Sequence, residues 1–142
     1  MERRDFLLTG CRACVALAAI PALAALESCG SAKAITAEPA PGSNLLNIPL
    51  SDLAEQNAVR VNTKELGSDL LVVKEADGSY KALLLKCTHK GGPLKQEGQV
   101  LHCSWHGSEF DLEGKVTNGP ATSPLKTFPA TVVDGQVQVN LG

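Results

Sequence analysis

From Leu45 onward, apolar residues either alternate with polar ones or gather in runs of a few, and each run ends at a turn. The runs are LLNIPL at 45–50, AVRVNT at 58–63, DLLVVKEA at 69–76, YKALLLKC at 80–87, QVLHC at 99–103, KVT at 115–117, TFPATVV at 127–133 and QVQVNL at 136–141. Asp77-Gly78, Glu97-Gly98, Glu113-Gly114 and Asp134-Gly135 stand between them. Pairs of this kind close hairpins, because glycine takes up the left-handed backbone conformation that tight turns require. No stretch of comparable length repeats with a helical period, although Ser51 to Gln56 has room for one short turn of helix. The pattern predicts an all-β domain over 45–142, built from antiparallel hairpins in stacked sheets.

The chain before Leu45 reads differently. Residues 1–29 form a signal segment, with Glu2, Arg3, Arg4 and Asp5 ahead of an apolar run from about Ala13 to Leu26. That run is too short for a bilayer, which needs about 20 apolar residues, and Pro21 interrupts it. Arg3-Arg4 followed by Asp5-Phe6-Leu7 resembles a twin-arginine export signal. Leu26-Glu27-Ser28-Cys29-Gly30 resembles a bacterial lipobox, which makes Cys29 a candidate for lipidation and for anchoring to a membrane. Cys11 and Cys14 fall inside the signal segment and are expected to be discarded with it. Residues 30–44 are small, contain proline and show no apolar period, so they are expected to be a flexible linker. The expected setting is the periplasmic or cell-envelope side of a membrane.

Composition narrows the choice of chemistry. A formal net charge of −2 and a pI near 5.9 provide no basic footprint for nucleic acid. At 142 residues the chain has room for one domain and an appendage, and no stretch marks a substrate pocket. A stand-alone enzyme is not expected from so little room.

Within the β domain the cysteines are Cys87 and Cys103, and each has a histidine close behind it: Cys87-Thr88-His89 and Cys103-Ser104-Trp105-His106. A plain disulfide gives no reason for those histidines. Two loops that each offer a thiolate and an imidazole can hold tetrahedral zinc or an iron–sulfur cluster of mixed ligation. Gly91, Gly92 and Gly107 permit tight loops whose N–H groups can face anionic sulfur. His102 adjoins Cys103 and, on a continuing strand, faces the other way.

CTHKGGPL, CSWHGSEFD and the downstream NGPATSPLKTFPATVVDGQVQV together resemble the Rieske iron–sulfur family over nearly the whole β domain. The resemblance implies a [2Fe–2S] cluster held on two loops at strand ends, with Cys87 and Cys103 on one iron and His89 and His106 on the other. Four thiolates leave an oxidised cluster a dianion, whereas two thiolates and two neutral imidazoles leave it neutral, so an electron is added against less repulsion. Zinc fingers pair like with like within a turn, which is not the order found here. The chain also departs from the family pattern. Many members brace the two loops with a disulfide, at positions that here are Gly92 and Trp105. High-potential members follow the second histidine with a serine and a tyrosine, and here these are Ser108 and Phe110. An intermediate potential is expected from the missing hydroxyl. Pro120 lies in the stretch that resembles the family's proline loop, which shields the cysteine-bound iron. The function implied is one-electron transfer as the redox subunit or shuttle of a membrane-associated or periplasmic oxidoreductase, working with redox protein partners. The rival readings are a ferredoxin component of a dioxygenase system and a zinc-stabilised Cys₂His₂ binding module.

Overall fold

The computed structural model describes residues 34–142. The expectations for the export signal, the apolar run and the lipidation of Cys29 lie outside the described residues. The elements are β1 (Ala34–Thr36), β2 (Leu45–Pro49), a single helical turn α1 (Leu50–Leu53), β3 (Ala58–Asn62), β4 (Leu70–Lys74), β5 (Tyr80–Leu84), β6 (Leu94–Glu97), β7 (Val100–Cys103), β8 (Glu109–Asp111), β9 (Val116–Asn118), β10 (Thr127–Val133) and β11 (Gln136–Asn140). The domain is all-β, as the alternation predicts.

Two sheets divide the work. A seven-stranded sheet in the order β1-β3-β4-β5-β10-β11-β2 forms the base, and a four-stranded meander β6-β7-β8-β9 carries the candidate site. The sheets share a boundary at β4, where Leu70, Leu71, Val72 and Val73 are all buried. Because neighbours on a strand point to opposite faces, Leu70 and Val72 enter one core with Leu46, Ile48, Val59, Val61, Phe128, Val137 and Val139. Leu71 and Val73 enter the other, which also takes in Leu83, Leu85, Leu94, Leu101, Phe110 and both cysteines. An unbroken apolar run is what a strand covered on both sides needs. The second core therefore ties the small sheet to the base, with the candidate sulfur ligands at its edge.

One boundary differs from the expectation. Residues 30–44 read as a linker, yet Ala34–Thr36 form β1, an edge strand that pairs in parallel with β3 through Ala34↔Arg60 and Thr36↔Asn62. Ile35 and Ala37 pack against the first core, and the Ala37 N–H donates to Asn62 O at 3.2 Å. One isoleucine among small residues shows no period, but three alternating positions are enough to extend an existing sheet edge. This is also the one parallel pair in an otherwise antiparallel arrangement among the described residues.

Candidate metal centre

The two Cys/His loops are built alike. In the first, the Cys87 N–H donates to Gly92 O at 2.8 Å and the Gly91 N–H returns to Cys87 O at 2.8 Å. In the second, the Cys103 N–H donates to Ser108 O at 2.9 Å and the Gly107 N–H returns to Cys103 O at 3.0 Å. Gly91 and Gly107 hold matching places at φ +76 and +77, a conformation that strains any side-chain-bearing residue. The first loop joins β5 to β6 and the second joins β7 to β8, so both begin where paired strands end.

The sulfurs lie on the dry side. Cys87 and Cys103 are buried and unpaired as a disulfide, and Leu94 lies directly opposite Cys103 in the small sheet. Burial pushes the Cys87 thiol up, but the His89 N–H, the Cys103 side chain, the Ser108 hydroxyl and the Lys90 N–H beside it favour the charged form, and the net effect is to lower its pKa. Donors converging on one sulfur favour its thiolate, the form that binds a metal. Ser108 is fully buried, and its oxygen accepts the Ala121 N–H at 3.0 Å. The hydroxyl is thereby fixed from behind while it serves the sulfur in front.

The imidazoles lie on the wet side. The His89 and His106 rings meet edge to face, with centroids 4.9 Å apart and planes at 88°. His106 is exposed and His89 half-buried. His89 Nδ1 is enclosed and has no hydrogen-bond partner. An enclosed ring nitrogen without a partner is costly unless something accepts or shares its lone pair, and a metal ion does so. Among the described residues no three His, Cys, Asp or Glu side chains surround a common point. A sulfur pair beside a separate imidazole pair fits a two-metal group and fits a single tetrahedral ion poorly.

A third loop closes over the other two. The Asn118 Nδ2 group donates to Gly107 O at 3.1 Å, and the Thr88 hydroxyl donates to Ser123 O at 2.7 Å. With the Ala121 bond to Ser108, this ties the stretch around Pro120 to both ligand loops, and Pro120 itself is exposed. Thr88 was not marked by its sequence context, since its partner lies far along the chain. Phe110 is fully buried beneath the site, opposite Leu101. His102 sits between Lys95 and Glu109 on the face of β7 that does not carry Cys103. Trp105 is largely exposed and lies against Gly92. A cleft of about 660 Å³ lined by Asn57, Lys74, Glu75, Gln99 and Leu112 opens elsewhere and includes none of the candidate ligands.

A β domain that presents a buried sulfur pair and a more exposed imidazole pair on twin loops defines a class of protein suited to a binuclear iron–sulfur group. The chain matches the Rieske [2Fe-2S] domain over residues 45–129, and it belongs to that family. It is 35% identical over 115 residues to the cytochrome b6-f complex iron-sulfur subunit 1 of Synechocystis, covering 77% of this chain and 60% of that protein. The p-cumate 2,3-dioxygenase system ferredoxin component of Pseudomonas putida is 31% identical over 96 residues, 64% of this chain and 80% of that one. Among solved structures, the cyanobacterial plasma membrane Rieske protein PetC3 from Synechocystis superposes with a TM-score of 0.55 at 29% identity, over 66% of this chain and 96% of that chain. As a Rieske [2Fe-2S] domain the chain binds a [2Fe–2S] cluster, and it spans 60% and 44% of the length of two b6-f iron-sulfur subunits that it matches.

Proposed function

We propose that Cys87 and Cys103 hold one iron and His89 and His106 the other. The observation that carries this assignment is the unpartnered, enclosed His89 Nδ1, set beside the His106 ring. When bound, the cluster takes up and gives back one electron. The rest belongs to this chain: donors around Cys87 hold its thiolate, the second core keeps water from both sulfurs, and the imidazoles face solvent, where a partner can approach. Electron exchange accordingly runs through the histidine side. Pulsed EPR on the reduced protein should show two histidine nitrogen couplings, with one lost in His89→Cys. A single coupling in the unaltered protein refutes the assignment.

The protein acts as the redox subunit or shuttle of a larger oxidoreductase at a membrane. The likeness to the b6-f subunit supports this reading, although the chain spans only 60% of that protein's length. Twin-arginine export and a lipid on Cys29 complete the reading, and the mass of the mature N-terminus tests the lipid. An unmodified Cys29 removes the anchor. A second reading, as the ferredoxin component of a dioxygenase system, is favoured by the chain's covering 80% of the p-cumate ferredoxin and by the absence of cysteine at Gly92 and Trp105. Reconstitution with membranes against reconstitution with a soluble oxygenase and its reductase separates the two.

A further inference from the structure

Gly92 is buried in the first ligand loop, and the space where a Cβ would stand is already taken from the second. That position lies 2.8 Å from Trp105 Cδ2, 2.9 Å from Cys103 Sγ and 3.0 Å from Trp105 Cγ, all at or inside the closest approach that real Cβ atoms make. The indole therefore rests on bare backbone, although 57% of Trp105 is exposed. Ser104 and His106 beside it are exposed too, and exposure alone calls for no large ring there.

The contact matters because of where the other links run. At their sulfur end the two loops meet in the second core, where Cys87 and Cys103 are buried together. Farther out, among the described residues, no hydrogen bond runs directly from residues 88–92 to residues 104–107. The His89–His106 ring contact and the Trp105–Gly92 contact are what meet there.

We propose that Trp105 is a positioning residue: by packing across Gly92 it braces the two ligand loops, holds His106 in register with His89, and covers the Cys103 sulfur. This rests on reading Cys87, His89, Cys103 and His106 as the ligands. The brace needs glycine at position 92, because any side chain there lifts the ring. Trp105 Cγ is one bond from its Cβ, so the Cβ positions of residues 92 and 105 fall within about 4.5 Å, inside the span a disulfide crosses. The packing contact thus occupies a place that a covalent link also fits.

The test uses the cluster-loaded protein and follows bleaching of its visible absorption in excess chelator. Trp105→Ala should lose the cluster about tenfold faster, the scale of one lost aromatic contact, and Trp105→Phe should recover most of the difference. Gly92→Ala should also speed loss, and should raise acrylamide quenching of the fluorescence of Trp105, the chain's one tryptophan. The oxidised Gly92→Cys/Trp105→Cys double variant should return to slow loss, with a mass two hydrogens lighter than its reduced form. A Trp105→Ala rate equal to that of the unaltered protein overturns the brace, as does fast loss that neither phenylalanine nor the disulfide reverses. Failure of the ligand assignment reads out separately, as unchanged nitrogen couplings in His89→Cys.

Discussion

Ser108 belongs to the second Cys/His loop, yet its hydroxyl stands beside the sulfur of Cys87 in the first and favours that thiol's charged form. The Ala121 N–H donates to the same oxygen at 3.0 Å, which leaves the hydroxyl's own proton free to turn toward the sulfur. Three segments distant in sequence meet at this one side chain. It fixes the loops mechanically and at the same time sets the charge tolerance of the site.

Replacing Ser108 with alanine should therefore have two effects. The reduced site carries more negative charge, so the lost donor costs it more than it costs the oxidised site. At about 1 kcal/mol of difference the potential should fall by roughly 40 mV, which potentiometric titration measures. The Ala121 N–H is also left buried without its acceptor, so thermal unfolding should show a loss of ~1–2 kcal/mol. An unchanged potential would mean that the hydroxyl serves only Ala121.

Phe110 has no hydroxyl to offer and is fully enclosed with both cysteines in the second core. Phe110→Tyr should raise the potential by a similar ~40 mV if the added hydroxyl reaches sulfur. Phe110→Ala should destabilise the fold by about 3–5 kcal/mol, since the small sheet leans on this ring. The unaltered protein should titrate below relatives that have both hydroxyls and above four-thiolate ferredoxins. A ferredoxin-like value contradicts the expectation.

How far these features could be read from the residues depends on how local their causes are. Alternation and turn pairs are local, and the eight runs they mark all became strands. β6 and β8 escaped because each is short, charged and built around a single inward residue, Leu94 or Phe110. β1 escaped because Ile35 alone makes no period. The paired Cys/His loops are local too and can be found by spacing. By contrast, the Thr88 bond to Ser123 and the Ala121 bond to Ser108 join residues whose proximity is created only when the sheets stack. The Trp105–Gly92 contact left a faint trace in sequence, as two positions without cysteine.

Away from the site, Glu75 has its pKa held below the usual value, chiefly by hydrogen bonds from Lys81 and Ser79 in the β4–β5 hairpin. Its folded pKa lies below its unfolded one, so its contribution to stability is present above the unfolded value near 4.5 and fades as pH falls through the folded value. Glu75→Gln should lower the urea midpoint at neutral pH and leave it unchanged well below the folded pKa. The Glu75 side chain is partly exposed and water screens its pairing with Lys81, so the neutral-pH effect should be small. A deficit that persists in acid would point to packing of the hairpin rather than charge.

The loop over the site is held by two side-chain ties, Thr88 to Ser123 O at 2.7 Å and Asn118 to Gly107 O at 3.1 Å. Each reaches a different ligand loop, so each alone limits how far the cover can lift. Thr88→Val keeps the shape and removes only the donor, and should speed oxygen-driven bleaching about fivefold, the equivalent of ~1 kcal/mol in the opening equilibrium. Asn118→Ala should do likewise. If the two ties restrain one opening motion, the double variant should show an effect different from the product of the singles, because the second tie carries more once the first is gone. If the effects simply multiply, the ends of the loop open independently, and shielding of the sulfur side then depends on the buried Ala121–Ser108 bond between them.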